Sequence, residues 1–290
     1  MRLTSLATSL RAQLFRAKKT LSRNGQPRRA APSVPFDGYT QHLNQIKFVD
    51  TLSDSELQEL NKLLDWKCFV ADGQGRRFGN VAWAGKRCEP QAVPDPRIRL
   101  LHERFDLSDK HVLEVGCFEG VHTAGLSMLA DKVTAIDARL ENVVKTIVRC
   151  ALFGYSPTVF KCDVEARPLP YDRLACDVLH HVGVLYHLID PVRHLLDLRH
   201  FVRSGIMLDT HYAGDTEATE SYEVDGREFK YKRYAEFGHS DPFSGTSDHS
   251  KWLKLDDLKT LLGETGFTRI EIIEKRDERN GPRVLLMARQ

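Results

Sequence analysis

One stretch constrains this chain more than any other. From Val112 to Thr123 it reads Val-Leu-Glu-Val-Gly-Cys-Phe-Glu-Gly-Val-His-Thr. An apolar strand runs into an acid, Glu114. Gly116 and Gly120 follow, and a helical pattern opens at Val121. Glycine at such a turn takes positive φ and lets the backbone approach a ligand closely. A strand end, a glycine turn and a helix N-terminus together build a cofactor pocket at the carboxyl edge of a parallel sheet.

The turn argues about which cofactor. A dinucleotide fingerprint needs Gly-x-Gly-x-x-Gly so that backbone N–H groups can hold a pyrophosphate. Phe118 stands where the second glycine would be, and Glu114 would repel a phosphate. S-adenosylmethionine, with a sulfonium, an ammonium and no phosphate, suits the turn better. A ladder of acids follows. The strand Val133 to Ile136 ends at Asp137, placed to accept hydrogen bonds from ribose hydroxyls. Thr158 to Cys162 ends at Asp163, and Asp177 to Val182 runs into Gly183-Val184-Leu185-Tyr186-His187. Strands alternating with helices predict an α/β fold with helices on both faces of a parallel sheet. Asp190-Pro191 opens a helix through about Val202, Gly205 to Leu208 is a fifth strand, and Leu255 to Glu264 is a last helix ending near Gly266. Thr268 to Lys275 and Arg283 to Arg289 pair across Asn280-Gly281.

With these motifs in place, the chain from about Arg97 to Gln290 resembles a class I S-adenosylmethionine-dependent methyltransferase. The resemblance implies a Rossmann-like sheet, mostly parallel with an antiparallel last strand. It implies that Glu114, Gly116 and Gly120 hold the methionine part, Asp137 the ribose and Asp163 the adenine amine. Cys117, Val164 and Val182 complete the implied cofactor-binding set. Gly183 to His187, Pro191, Leu195 and the terminal Pro282 to Arg289 are similar to the bacterial tRNA wobble-uridine carboxymethyltransferase group. That narrower resemblance implies that Tyr186 and Arg283 help hold a carboxylated form of the cofactor. The N-terminal lysine- and tryptophan-rich part of that group finds only Trp83 and Lys86 as counterparts.

Upstream, the organisation changes. Residues 1–36 carry Arg2, Arg11, Arg16, Lys18, Lys19, Arg23, Arg28 and Arg29 with no acid before Asp37, and Leu3, Leu6, Leu10 and Leu14 recur at helical spacing. This is a basic amphipathic segment and Pro-rich linker. Peripheral membrane contact, RNA contact, organelle targeting and a solvated tail all stay open for it. Residues 37–96 form a lead-in that opens a helix at Ser53-Asp54-Ser55-Glu56, a capping-box pattern. Trp83 and Lys86 lie in it, as a cover for the cofactor or as core packing. Residues 97–290 are the methyltransferase domain. With 42 Lys plus Arg against 40 Asp plus Glu, the whole chain is near neutral, which argues against a generally basic nucleic-acid binder, though not against a local patch. The six cysteines form no Cys-x-x-Cys pair and read as small buried residues of a reducing compartment. No run reaches the ~20 apolar residues that span a bilayer, so no transmembrane segment is expected, and the location expected is cytoplasmic, at most membrane-peripheral.

Methyl transfer to a hydroxyl needs a base near neutral pH. Candidates sit after the fourth and fifth strands: His181, Tyr186, His187, Asp209, His211 and Tyr212. His211 ranks first because it follows the fifth strand, and His187 second, with Tyr186 beside it. His180 and His181 alternate across a strand, so only one can face the site. His194 and His200 lie in a helix pattern and are expected at the surface. An insertion, Tyr212 to Trp252, is rich in polar-tipped aromatics and reads as a lid or a β-arm. Its Tyr212, Tyr234, His239 and Trp252, with Arg283 as an anion clamp, are the expected acceptor-binding residues. No metal is expected. The function expected is O-methylation of a polar small molecule or glycan. The alternatives are tRNA wobble-uridine alkylation and a non-catalytic S-adenosylmethionine-binding adaptor.

Overall fold

The computed structural model describes residues 44–80 and 89–290, which belong to one compact unit. The basic segment 1–36, Trp83 and Lys86 lie outside the described residues. Helix α1 (Asp54–Leu63) starts where the sequence pattern puts it: the Ser53 hydroxyl accepts from Glu56 N–H, and the Glu56 carboxylate accepts from Ser53 N–H. A short hairpin, β1 (Phe69–Ala71) and β2 (Arg77–Gly79), follows. Then come α2 (Pro96–Phe105), capped by Asp95 with proline in its first turn, and the alternation β3 (His111–Val115), α3 (Val121–Ser127), β4 (Lys132–Asp137), α4 (Leu140–Leu152), β5 (Thr158–Lys161), α5 (Tyr171–Leu174), β6 (Cys176–Val182), α6 (Pro191–Asp197) and β7 (Val202–His211). After the insertion come α7 (Leu255–Glu264), β11 (Arg269–Glu278) and β12 (Gly281–Arg289).

Seven strands form one sheet in the order β11-β12-β7-β6-β3-β4-β5. Strands β3 to β7 are parallel, and β12 runs antiparallel between β7 and β11. The expected α/β architecture with an antiparallel last strand is therefore what the chain adopts. One sheet face packs Leu113, Val115, Leu179, Ile206 and Leu208 against α6 and α7. The other packs Val112, Val178, Met207 and Leu285 against Ile98 and Leu101 of α2 and Leu126 of α3. Two bounds differ from the sequence reading. β7 starts at Val202 and runs to His211, because β12 pairs with it over its length from Gly205 to His211. That early start forces α6 to end at Asp197, followed by a 3₁₀ turn over Leu198–His200.

The insertion is a β-arm, a separate three-stranded antiparallel sheet of β8 (Glu220–Val224), β9 (Arg227–Ala235) and β10 (His249–Leu253). Val224, Phe229 and Tyr231 join the main core, so the arm is fixed to the domain. The lead-in is fixed too. Fully buried Glu119 accepts from Lys67 N–H (2.7 Å) and Cys68 N–H (3.0 Å) and pairs with Lys145 Nζ at 3.0 Å. Arg149, equally buried, donates to the Glu119 and Phe78 carbonyls. No helix among the described residues is long and apolar enough to cross a membrane. The described cysteines are all free, and Cys88 lies outside the described residues.

Candidate active site

The acids of the ladder stand at the carboxyl ends of adjacent strands: Glu114 on β3, Asp137 closing β4 and Asp163 just past β5. Gly116 has φ +75°, and a Cβ there would meet Val184 Cγ2 at 2.3 Å, so only glycine lets the β3 and β6 loops approach so closely. Asp137 accepts from the N–H groups of Phe118 (3.0 Å) and Arg139 (2.8 Å), which fixes its carboxylate at the turn. Asp163 accepts from Glu165 N–H at 2.9 Å. Phe118 takes φ +50° in the position of the missing glycine. Glu114 is 2% exposed and accepts from Thr123 Oγ1 at 2.5 Å; burial, aided by the Asp137 charge, pushes its carboxyl up to about 8. Cys117 accepts from Thr146 Oγ1 at 3.3 Å, and burial raises its thiol far above the ordinary value, which removes it as a nucleophile. Val164 is buried and Val182 half-buried beside these loops.

The end of the arm closes over this edge. Arg139, two residues after Asp137, donates from Nη2 to the carbonyls of Gly238 (2.8 Å), Ser244 (3.0 Å) and Asp241 (3.1 Å). The Phe118 and Phe243 rings lie 5.4 Å apart. Buried Glu236 is the anchor inside the loop. It accepts from His187 Nδ1 (2.8 Å), Ser250 Oγ (2.9 Å), Ser244 Oγ (2.5 Å) and Gly245 N–H (3.0 Å). Burial alone would raise the Glu236 carboxyl, but the hydrogen bonds it accepts from His187, Ser244 and Gly245 outweigh it and hold the group ionised.

The structure redistributes the expected site residues. His187 points one nitrogen at Glu236, and its Nε2 has no hydrogen bond among the described residues. His211 is 3% exposed and differently employed. Its Nδ1 meets the Pro282 carbonyl at 3.1 Å, and its ring stacks on Trp252 (4.7 Å) and abuts Tyr186 edge-on (4.8 Å). Trp252 is 1% exposed, sandwiched between His211 and Tyr234, and donates to the Tyr186 carbonyl at 2.9 Å. It is scaffold for the Tyr186–His187 turn, which corrects its expected role on the acceptor. Tyr234 stacks on the outer Trp252 face at 4.4 Å, and Tyr212 packs half-buried on the main core. The exposed His239 contributes its carbonyl to Arg139. Arg283 is not a free clamp. Its Nε holds Asp209 at 2.6 Å, its Nη1 lies 3.4 Å from Glu278, and its guanidinium sits 5.2 Å over the Tyr186 ring.

Two histidine groupings had no local signal. His194, expected at the surface, is fully buried, because the apolar face of α6 turns it onto the sheet; its Nε2 lies 2.9 Å from His181 Nε2. On the opposite face, Glu114, His122 and His180 converge. No metal was expected because their spacing in sequence is irregular; β3, α3 and β6 supply one each.

No protein-family model matches the chain. Sequence relatives do. The chain is 33% identical over 115 residues to the tRNA U34 carboxymethyltransferase of Cellvibrio japonicus, covering 39% of this chain and 36% of that protein. It is 34% identical over 117 residues to the enzyme of the same name from Marinobacter nauticus, covering 39% and 34%. The chain thus spans about a third of the length of these curated relatives. The ubiquinone biosynthesis O-methyltransferase of Coxiella burnetii is 23% identical over 188 residues, 64% of this chain and 75% of that one. Among solved structures, the N-terminal domain of EvdMO1 with SAH bound has a TM-score of 0.67 at 23% identity, covering 85% of this chain and 99% of that one. The same domain in the presence of SAH and D-fucose has a TM-score of 0.66 at 22% identity, with the same coverage. The chain has the Rossmann-like fold of the class I S-adenosylmethionine-dependent methyltransferases and is related in sequence to the group named tRNA U34 carboxymethyltransferase.

Proposed function

We propose that this chain transfers the methyl group of S-adenosylmethionine to a hydroxyl of a sugar-like or similarly polar acceptor, with His187 as the general base. The observation that carries this reading is the His187–Glu236 dyad, 2.8 Å long, in the loop whose Val184 packs against Gly116. The residues present fit the cofactor. The turn has a close-approach glycine at Gly116, acids at three successive strand ends, and no second glycine to cradle a phosphate. Asp137 would hold the ribose, Asp163 the adenine amine, and Glu114 the methionine end. When bound, the cofactor supplies an electrophilic methyl on its sulfonium.

The side chains do the rest. Glu236 accepts the His187 Nδ1 proton and so fixes the tautomer, leaving the Nε2 lone pair to take the acceptor's hydroxyl proton. The buried carboxylate then stabilises the imidazolium that forms. A positioned base of this kind contributes about 10²- to 10⁴-fold. His211 serves less well, because Pro282 and Trp252 hold it as a wall of the site. The fold shared with a domain crystallised with SAH and D-fucose supports a sugar acceptor.

A second reading, carboxymethyl transfer to a tRNA wobble uridine, rests on Arg283 lying over Tyr186 and on the sequence relatives. RNA contact through residues 1–36 belongs to it. Asp209 and Glu278 already engage Arg283 Nε and Nη1, so an added carboxylate would be left with Nη2 beside Gly183. Methyl transfer is therefore placed first. The test is a thermal-shift titration with S-adenosylmethionine, then mass spectrometry of a sugar panel with a deuterated-methyl donor. Transfer that falls at least about 10²-fold in His187→Ala, with cofactor binding kept, is expected. No transfer to any hydroxyl, or full transfer in His187→Ala, overturns it.

A further inference from the structure

The polar group on the α2–α3 face of the sheet is unexplained by methyl transfer. Glu114, His122 and His180 offer one ligand-type atom each, all within 4.8 Å of one another. His180 is 1% exposed, yet among the described residues neither of its ring nitrogens has a hydrogen-bond partner. A buried imidazole without partners is costly to desolvate, and such groups are rare unless something binds them. Its ring meets the His122 ring edge-on at 5.1 Å. His122 in turn has Nε2 3.3 Å from Asp95 Oδ2. A carboxylate behind a ligating histidine is the usual way such a ring is oriented.

We propose that Glu114, His122 and His180 form a binding site for one divalent transition-metal ion of the imidazole-preferring kind, Zn²⁺ being the simplest. Two imidazoles and one carboxylate with room for solvent match that ion class. Ligand atoms around tetrahedral zinc stand roughly 3.3 Å apart, so from within 4.8 Å the group closes by at most about 1.5 Å on the ion. The opposing charge is Arg97, whose Nη2 lies 3.3 Å from His122 Nε2. It is paired with Asp95 at 2.8 Å and Asp209 at 2.8 Å, and Glu114, held by Thr123 Oγ1, is the carboxyl group that lies with the two rings. The site shares Glu114 with the proposed cofactor pocket but is read with no cofactor present, so its failure and that of the methyltransferase reading are separate events.

The test uses the full chain, stripped with a chelator and dialysed against Zn²⁺ or Co²⁺. One ion per chain is expected by elemental analysis, with tetrahedral-type visible bands for Co²⁺. Affinity should fall at least tenfold in His180→Phe and in His122→Ala, and stay unchanged in His249→Ala, which alters a distant exposed pair. His122 is partly exposed, at 22% of its side chain, so its variant keeps the test decisive if His180→Phe fails to fold. No bound ion, or a smaller loss than tenfold in His122→Ala, overturns the proposal.

Discussion

The His181–His194 pair makes the fold acid-sensitive by an amount that the structure specifies. Both rings are fully buried, and their Nε2 atoms are 2.9 Å apart. One Nε2 must donate and the other accept, so the accepting ring carries its proton on Nδ1, where it has no partner. Burial holds both rings neutral: His181 is lowered to about 4, and His194 lies well below its ordinary value. A histidine whose folded pKa is depressed contributes stability that is present above its unfolded pKa of about 6.5 and lost as pH falls toward the folded value. Between pH 7 and pH 5 that loss is about 2 kcal/mol for His181, and His194 adds a loss of the same sign. The perturbation is the double substitution His181→Leu with His194→Leu, which removes both polar partners at similar volume and is near neutral at pH 7. Urea melts of both proteins at the two pH values read the difference. The double variant should lose at least about 2 kcal/mol less than wild type on acidification. His180 is common to both proteins and cancels. Acid losses that match within about 1 kcal/mol would falsify the reasoning.

Three shorter predictions follow from other parts of the structure. Glu119→Ala should destabilise by about 3–5 kcal/mol in urea melts, because it leaves buried Arg149 without its carboxylate and Lys145 with only the exposed Glu141 at 2.6 Å; a loss under about 1 kcal/mol would mean the network is solvated in solution. Gly116→Ala should abolish the thermal shift given by S-adenosylmethionine, since its Cβ would lie 2.3 Å from Val184 Cγ2 at φ +75°, and Val184→Ala should restore part of it. Glu236→Gln should lower kcat about 10²-fold or more with little change in cofactor affinity and move the acidic limb of the pH–rate profile; an unchanged profile removes Glu236 from the proton path.

What was legible in the sequence were features confined to one strand and its turn. Glu114, Asp137 and Asp163 each close an apolar run, and the structure sets them at adjacent strand ends. The capping patterns at Ser53 and Asp190 fixed two helix starts because the cap lies within three residues of what it caps. The site was less legible because its partners are distant along the chain. His187 and His211 look alike as residues after a strand; Glu236, 49 positions away, separates them, and only the folding-back of the β-arm brings it within 2.8 Å. Trp252 resembled a binding aromatic because an insertion has no periodicity that marks its buried side. His194 was misplaced for a related reason. A polar residue on a short helix is usually exposed, and the partner that makes its burial tolerable, His181, belongs to a strand thirteen residues earlier.

The placement of the Tyr186–His187 turn then depends on a charge that never touches it. Asp209, fully buried on β7, receives Arg97 from α2, Arg276 from β11 and Arg283 from β12, at 2.8, 2.9 and 2.6 Å. One carboxylate thus joins three elements at the carboxyl end of the sheet, and attraction to three guanidinium groups outweighs its burial and keeps it ionised. Arg283, so fixed, lies over the Tyr186 ring, while Trp252 holds the Tyr186 carbonyl from the arm side. The turn is gripped from the sheet through Arg283 and from the insertion through Trp252 and Glu236. A general base of the kind proposed for His187 gains most when its geometry is set before the acceptor arrives, and a buried ion cluster and a packed β-arm would supply that setting from opposite sides.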